Sequence, residues 1–144
     1  MATINPYIHF NGNAEEAFGF YQSVLGGSIS GISRYRDIAS DAFPIGSEDA
    51  DKIMHIELPL CDAARLMGSD TLSVMGKVNE SDNRNTIFLS AGSVEEADAL
   101  FAGLSANGTI EMPISHGPFG NYFGMCADKY GVQWMVDFNA KKIS

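Results

Sequence analysis

Apolar and polar residues alternate with period two in three stretches of the chain. Between 52 and 60, Met54, Ile56, Leu58 and Leu60 fall on one side and Ile53, His55 and Glu57 on the other. Between 7 and 10, Ile8 and Phe10 oppose Tyr7 and His9, and between 133 and 138, Trp134, Val136 and Phe138 oppose Gln133, Met135 and Asp137. Such alternation predicts strands with one apolar face. Two further stretches carry helical spacing: Ala17, Phe20, Tyr21, Val24 and Leu25, then Ala97, Leu100, Phe101 and Leu104. Each predicted helix has one apolar stripe to bury, and the apolar strand faces are the surfaces that receive it.

The two helical stretches are echoes of one another. Asn13-Ala14-Glu15-Glu16-Ala17 returns as Ser93-Val94-Glu95-Glu96-Ala97, and both spell a capping box, with a short polar side chain followed three places later by Glu. Gly26-Gly27 and Asn107-Gly108 supply the residues that end helices most readily. Strands are predicted at Pro6–Phe10, Ser28–Tyr35, Lys52–Leu60 and Arg65–Gly68, with Leu72–Met75 continuing the last, and again at Thr86–Ser90, Thr109–Met112, Tyr122–Ala127 and Gln133–Phe138. The segments Asp37–Asp51 and Ile114–Asn121, rich in Gly, Pro, Ser and Asp, read as loops, the second holding His116. The order strand, helix, three strands therefore occurs twice. It predicts an α+β fold of two βαβββ modules, about 1–80 and 81–144, within one domain.

The 144 residues suit a single domain. With 18 acidic against 9 basic side chains the chain has a net charge of −9, which opposes a phosphate backbone as partner. The stretch Met1 to Pro6 lacks the charged-then-apolar pattern of a secretory signal, and no apolar run approaches the roughly 18 residues of a membrane span. A cytoplasmic protein without nucleic-acid or membrane partners is expected. Cys61 and Cys126 are too few for a disulfide framework and read as reduced thiols in or near the core.

The polar strand faces hold the candidate site. If the sheets curl, Tyr7, His9, His55, Glu57, Gln133, Met135 and Asp137 line a concave cavity of the kind that takes a small ligand. Thr86 and Tyr122 add polar contacts, and Phe119, Met67 and Met135 an adaptable apolar wall.

Three segments give a resemblance: Pro6-Tyr7-Ile8-His9-Phe10-Asn11-Gly12-Asn13-Ala14-Glu15-Glu16-Ala17, Phe20 to Gly27, and Phe123 to Met135 with its Asp128-Lys129-Tyr130-Gly131 core. Together with Ile53-Met54-His55-Ile56 and Gly68-Ser69-Asp70, they resemble PhnB-like proteins of the glyoxalase/bleomycin-resistance, or vicinal oxygen chelate, superfamily across nearly the whole chain. The resemblance implies two modules with sheets curved around a shared cavity, commonly in a homodimer. PhnB-like proteins are often called methyltransferases, but the chain shows no Gly-rich nucleotide loop for a methyl donor.

Metal enzymes of that superfamily hold a divalent ion with His and Glu on the first and last strands of each module. The matching places here are Pro6 or Tyr7, Thr86 or Ile87, Leu66 or Met67, and Met135, none of them an imidazole or a carboxylate. The leading expectation is a metal-free and cofactor-free protein that binds a small molecule in a cavity between its modules. The rival is a metal-dependent lyase, isomerase or dioxygenase of the glyoxalase type, with a relocated site on His9, His55 and Glu57.

Overall fold

The computed structural model describes residues 2–61 and 64–140, so Met1 of the N-terminal stretch read above lies outside it. The chain forms two compact units, Met1–Val78 and Asn79–Ser144. The first contains β1 (Tyr7–Phe10), α1 (Ala14–Leu25), β2 (Gly31–Arg34), β3 (Ile53–Cys61) and β4 (Ala64–Asp70). The second contains β5 (Ile87–Ser90), α2 (Val94–Ser105), β6 (Thr109–His116), β7 (Tyr122–Ala127) and β8 (Gln133–Phe138). Each is βαβββ, and the α+β class read from the sequence holds.

The sheets share one topology, β1-β4-β3-β2 and β5-β8-β7-β6, and in each the first strand lies parallel to the last while the other pairings are antiparallel. In the first unit, α1 packs on β3 and β4 and buries Ala14, Ala17, Phe18 and Tyr21 against Phe10, Ile56, Leu58 and Leu66. In the second, α2 packs on β6, β7 and β8, burying Ala97, Phe101 and Leu104 with Cys126, Trp134 and Val136. Close helix approach has the same cause in both. A Cβ at Gly68 would stand 2.8 Å from the Phe18 ring, and one at Gly124 would stand 2.8 Å from the Phe101 ring.

Each unit is also tied by a buried carboxylate. Asp70 Oδ1 accepts from the Gly12 and Ala14 amides at 3.0 and 2.9 Å, and Oδ2 from the Ile53 amide at 2.9 Å. One side chain thereby fixes the entry to α1 and the start of β3, and its charge suits the positive end of the helix. In the second unit Asp128 Oδ1 accepts from the Tyr130 and Val132 amides, and Oδ2 from Trp134 Nε1 at 2.9 Å.

Four local expectations need correction. The Asn13 side chain makes no capping bond, because its backbone (φ −116°, ψ 25°) lacks the extended conformation that aims a cap at the amide three places on; Ser93 is extended (φ −159°, ψ 167°) and the cap forms, with the Glu96 amide donating to Oγ at 3.0 Å. Ile53 sits in the core at 1 % exposure instead of on the polar face, since the extra residue of a bulge opposite Ser33/Arg34 reverses its parity. Leu72–Met75 is no strand: Ser73–Met75 is a 3-10 turn held at Asp49, whose carboxylate accepts from the Ser73 amide and hydroxyl. Finally, β6 runs on to His116, absorbing Pro113 within the second of two register shifts at the sheet edge, so His116 is a strand residue whose ring lies 4.8 Å from that of Tyr122.

Candidate functional site

In the first unit the sheet face turned away from α1 carries two rows of side chains. Strand register puts Tyr7, Met67, Glu57 and Gly31 in one row across the four strands. The next row holds His9 beside Ser69, and His55 beside Ser33. Four residues named from strand parity alone, Tyr7, His9, His55 and Glu57, are therefore brought together on one face.

They are hydrogen-bonded as well as adjacent. Tyr7 Oη lies 3.3 Å from His55 Nδ1, and His55 Nε2 lies 2.9 Å from Glu57 Oε1. Arg65 Nη1 donates to Glu57 Oε2 at 3.3 Å. Beside this chain, Ser69 Oγ is 3.3 Å from His9 Nδ1, and the Tyr7 ring packs 5.3 Å from that of His9 and 5.7 Å from that of His55. The bond from His55, together with the charge of Arg65 and its bond, holds the Glu57 carboxyl below its ordinary range despite the opposing effect of burial. An ionised Glu57 selects the imidazole tautomer with its proton on Nε2, leaving Nδ1 to accept from the Tyr7 hydroxyl.

Sequence reasoning missed Arg65 and Ser69. Both lie two places from Met67 along β4, so period-two spacing puts them on its face; the signal was present once Met67 was placed there.

The second unit arranges its candidates differently. Met135, Gln133 and Asp137 do lie on the face turned from α2, with Met135 between Phe88 and Met125 in register. Gln133 Nε2 donates to Glu111 Oε2 at 3.1 Å and Thr86 Oγ1 lies 3.4 Å from Gln133 Oε1, whereas Asp137 Oδ1 accepts from Asn121 Nδ2 at 3.1 Å. Tyr122 points to the helix side, where its hydroxyl donates to Asp98 of α2 at 2.5 Å, and that bond and its charge push the phenol up. It is not part of the same face. Phe119 is 85 % exposed.

At the edge near Gln133, a cavity of about 470 Å³ opens among Glu80, Asp82, Asn107, Glu111 and Lys129. Among the described residues, no three His, Cys, Asp or Glu side chains are grouped to hold a metal ion, and both ring nitrogens of His55 are already engaged. Cys126 is buried and its thiol is pushed up to about 11, first by burial and then by Asp128 and Glu111; Cys61 is exposed, not in the core as expected.

Comparison with known proteins extends over the same elements. A family model described as Glyoxalase/Bleomycin resistance protein/Dioxygenase superfamily matches residues 3–136. Protein YjdN of Escherichia coli (strain K12) is 30% identical over 142 residues, 93% of each chain. The crystal structure of protein PA1353 from Pseudomonas aeruginosa is 34% identical with a TM-score of 0.81, covering 96% of this chain and 98% of that one. A PhnB protein from Bacillus cereus is 29% identical with a TM-score of 0.72, over 95% and 99%.

Proposed function

Because the chain belongs to the glyoxalase/bleomycin resistance protein/dioxygenase superfamily, we propose that it binds a small molecule on the helix-free face of its first sheet, without the divalent ion that metal enzymes of this fold use. One observation carries the reading: the hydrogen-bonded chain Tyr7–His55–Glu57–Arg65, laid beside the thioether of Met67. It combines a few convergent polar groups with adaptable apolar surface, the composition of a ligand site.

The family's metal places do not fit an ion here. On the helix-free faces the register pairs Tyr7 with Met67 and Phe88 with Met135. Phe88, not Thr86 or Ile87, is thus the second unit's counterpart of Tyr7, and the four side chains offer neither imidazole nor carboxylate. The reading includes a homodimer in the cytoplasm.

Calorimetric screening of the purified protein against small polar aromatic and carbonyl compounds tests it, with Zn²⁺, Ni²⁺, Mn²⁺ and Fe²⁺ titrated in parallel. A ligand whose affinity drops on Tyr7→Phe and His55→Gln supports the reading. Stoichiometric metal binding abolished by His55→Ala or Glu57→Ala overturns it. Light scattering tests the dimer directly, and a monomer would remove that part.

A further inference from the structure

Resting on that reading of the site, we infer that Tyr7, His55 and Glu57 form a proton relay ending at Tyr7 Oη, so that the protein removes a proton from a weakly acidic small molecule. The geometry runs in one line. Glu57 Oε1 accepts from His55 Nε2 at 2.9 Å, His55 Nδ1 faces the Tyr7 hydroxyl at 3.3 Å, and Tyr7 is 40 % exposed at the outer end. The inner end is anchored by Arg65 on the second carboxylate oxygen.

In this arrangement the Tyr7 proton points inward to His55, and the oxygen turns its lone pairs outward. When a ligand presents a weakly acidic hydrogen, that hydrogen bonds to Tyr7 Oη as its own bond breaks. The phenolic proton moves to His55 Nδ1 in the same step. The products are a ligand anion and an imidazolium paired with the Glu57 carboxylate, so atoms and charge balance. Return of the proton to a different ligand atom completes an isomerisation. Tyr7 and His55, which exchange the moving proton, are the catalytic residues of this scheme; Glu57 is a positioning residue that acts through His55.

The ligand class follows from proton-transfer efficiency, which is greatest between groups of comparable acidity. Because Tyr7 gives up its own proton as it takes the ligand's, the imidazole is the net acceptor, and the ligand is an activated acid: a phenol bearing electron-withdrawing groups, a thiol, or a C–H flanked by two carbonyl groups. Among the described residues, His9 abuts the Tyr7 ring with its Nδ1 near Ser69 Oγ, Tyr35 interacts electrostatically with Tyr7, and Arg65 holds the far end of the chain at Glu57.

Covalent labelling reads the relay without knowledge of the natural ligand. Benzenesulfonyl fluoride forms an Oη–S bond with loss of fluoride, and the phenolic proton passes to His55. Peptide mass spectrometry should find Tyr7 modified about 100-fold faster in wild type than in His55→Gln, with Glu57→Gln between them. His55→Gly should regain part of the rate with added imidazole, which a merely structural role for His55 would not produce. A wild-type rate within about twofold of both His55→Gln and Glu57→Gln overturns the relay. If His55→Gln unfolds, Glu57→Gln and the imidazole rescue decide.

The ligand class is tested separately with 4-nitrophenol, at a pH where the free compound is protonated. Appearance of its phenolate absorption on binding to wild type, absent with Tyr7→Phe, supports the class. Binding without ionisation overturns it. Relay-dependent labelling with no binding of any small molecule overturns the binding reading and leaves the relay standing.

Discussion

The two units place their strands in the same order but put different chemistry on the central row of the sheet face turned from the helix. In the first, the row across the sheet is Tyr7, Met67, Glu57, Gly31; in the second it is Phe88, Met135, Met125, Met112. One row beyond, His9, Ser69 and His55 are matched by Ser90, Asp137 and Phe123. On the helix side the units instead agree, each with a glycine under an aromatic ring and a buried aspartate tying backbone amides. The difference teaches where constraint lies. Close packing under a helix fixes volume and polarity, while the far face is free to carry a Tyr–His–Glu chain in one unit and a row of Phe and Met in the other.

The largest expected effect tests the shared side. Trp134 is 1 % exposed and donates to buried Asp128, so Trp134→Ala should cost about 3–5 kcal/mol, and Leu66→Ala at the matching place about 2–5 kcal/mol. Urea denaturation measures both; a loss below about 1 kcal/mol in either would break the equivalence of the two helix-side surfaces.

Next in size are the glycines. An added methyl at Gly68 meets the Ile8 carbonyl and Phe18, and at Gly124 it meets the Ile114 backbone and Phe101, all at 2.8 Å. Gly68→Ala and Gly124→Ala should each cost about 1–3 kcal/mol by overpacking. Similar losses in the two variants sharpen the comparison; a neutral result in one shows that its helix can withdraw.

The sequence made most of this legible because period and turn chemistry are local. The strands Tyr122–Ala127 and Gln133–Phe138 match their predicted limits, and the repeated helices follow from their apolar spacing. What escaped depends on partners distant in sequence. Asp70, from the far end of the module, ties the Gly12 and Ala14 amides at the entry to α1, and the bulge opposite Ser33 turns Ile53 inward. Tyr122 was grouped with the site as a polar residue, but its even-numbered neighbours Gly124 and Cys126 are buried under α2, and that parity takes it to Asp98. The candidate site was legible as a face, from Tyr7, His9, His55 and Glu57. The hydrogen bonds that give it a direction depend on cross-strand register, which alternation alone does not specify.

A smaller, pH-dependent effect separates the polar face from its apolar counterpart. Glu57 is held below its ordinary value of 4.5, chiefly by the His55 bond. A lowered folded-state value means that the ionised carboxylate contributes stability above the unfolded value and that this contribution disappears as pH falls through the folded one. Wild type should therefore exceed Glu57→Gln in stability near neutral pH, and the gap should close below the ordinary carboxylate range. Denaturation curves at neutral pH and at about pH 3 check this. A gap unchanged between them would show that Glu57 is not held by charge.

The smallest effect is expected at Met125, which matches Glu57 in the second sheet. It is half-buried, flanked in register by Met135 and Met112, and lies on the face away from α2. Gln has nearly the same length and shape, and on a face reached by water its amide finds hydrogen-bond partners without reorganising the sheet. Met125→Gln should therefore change stability by no more than about 0.5 kcal/mol, as surface substitutions usually do. The thermal midpoint measured across a range of protein concentrations distinguishes the alternatives. A small shift independent of concentration agrees with an open apolar face. A loss above about 1 kcal/mol that makes the midpoint rise more steeply or less steeply with concentration than in wild type would put the second copy of the chain on that face, because only an associated state ties stability to mass action.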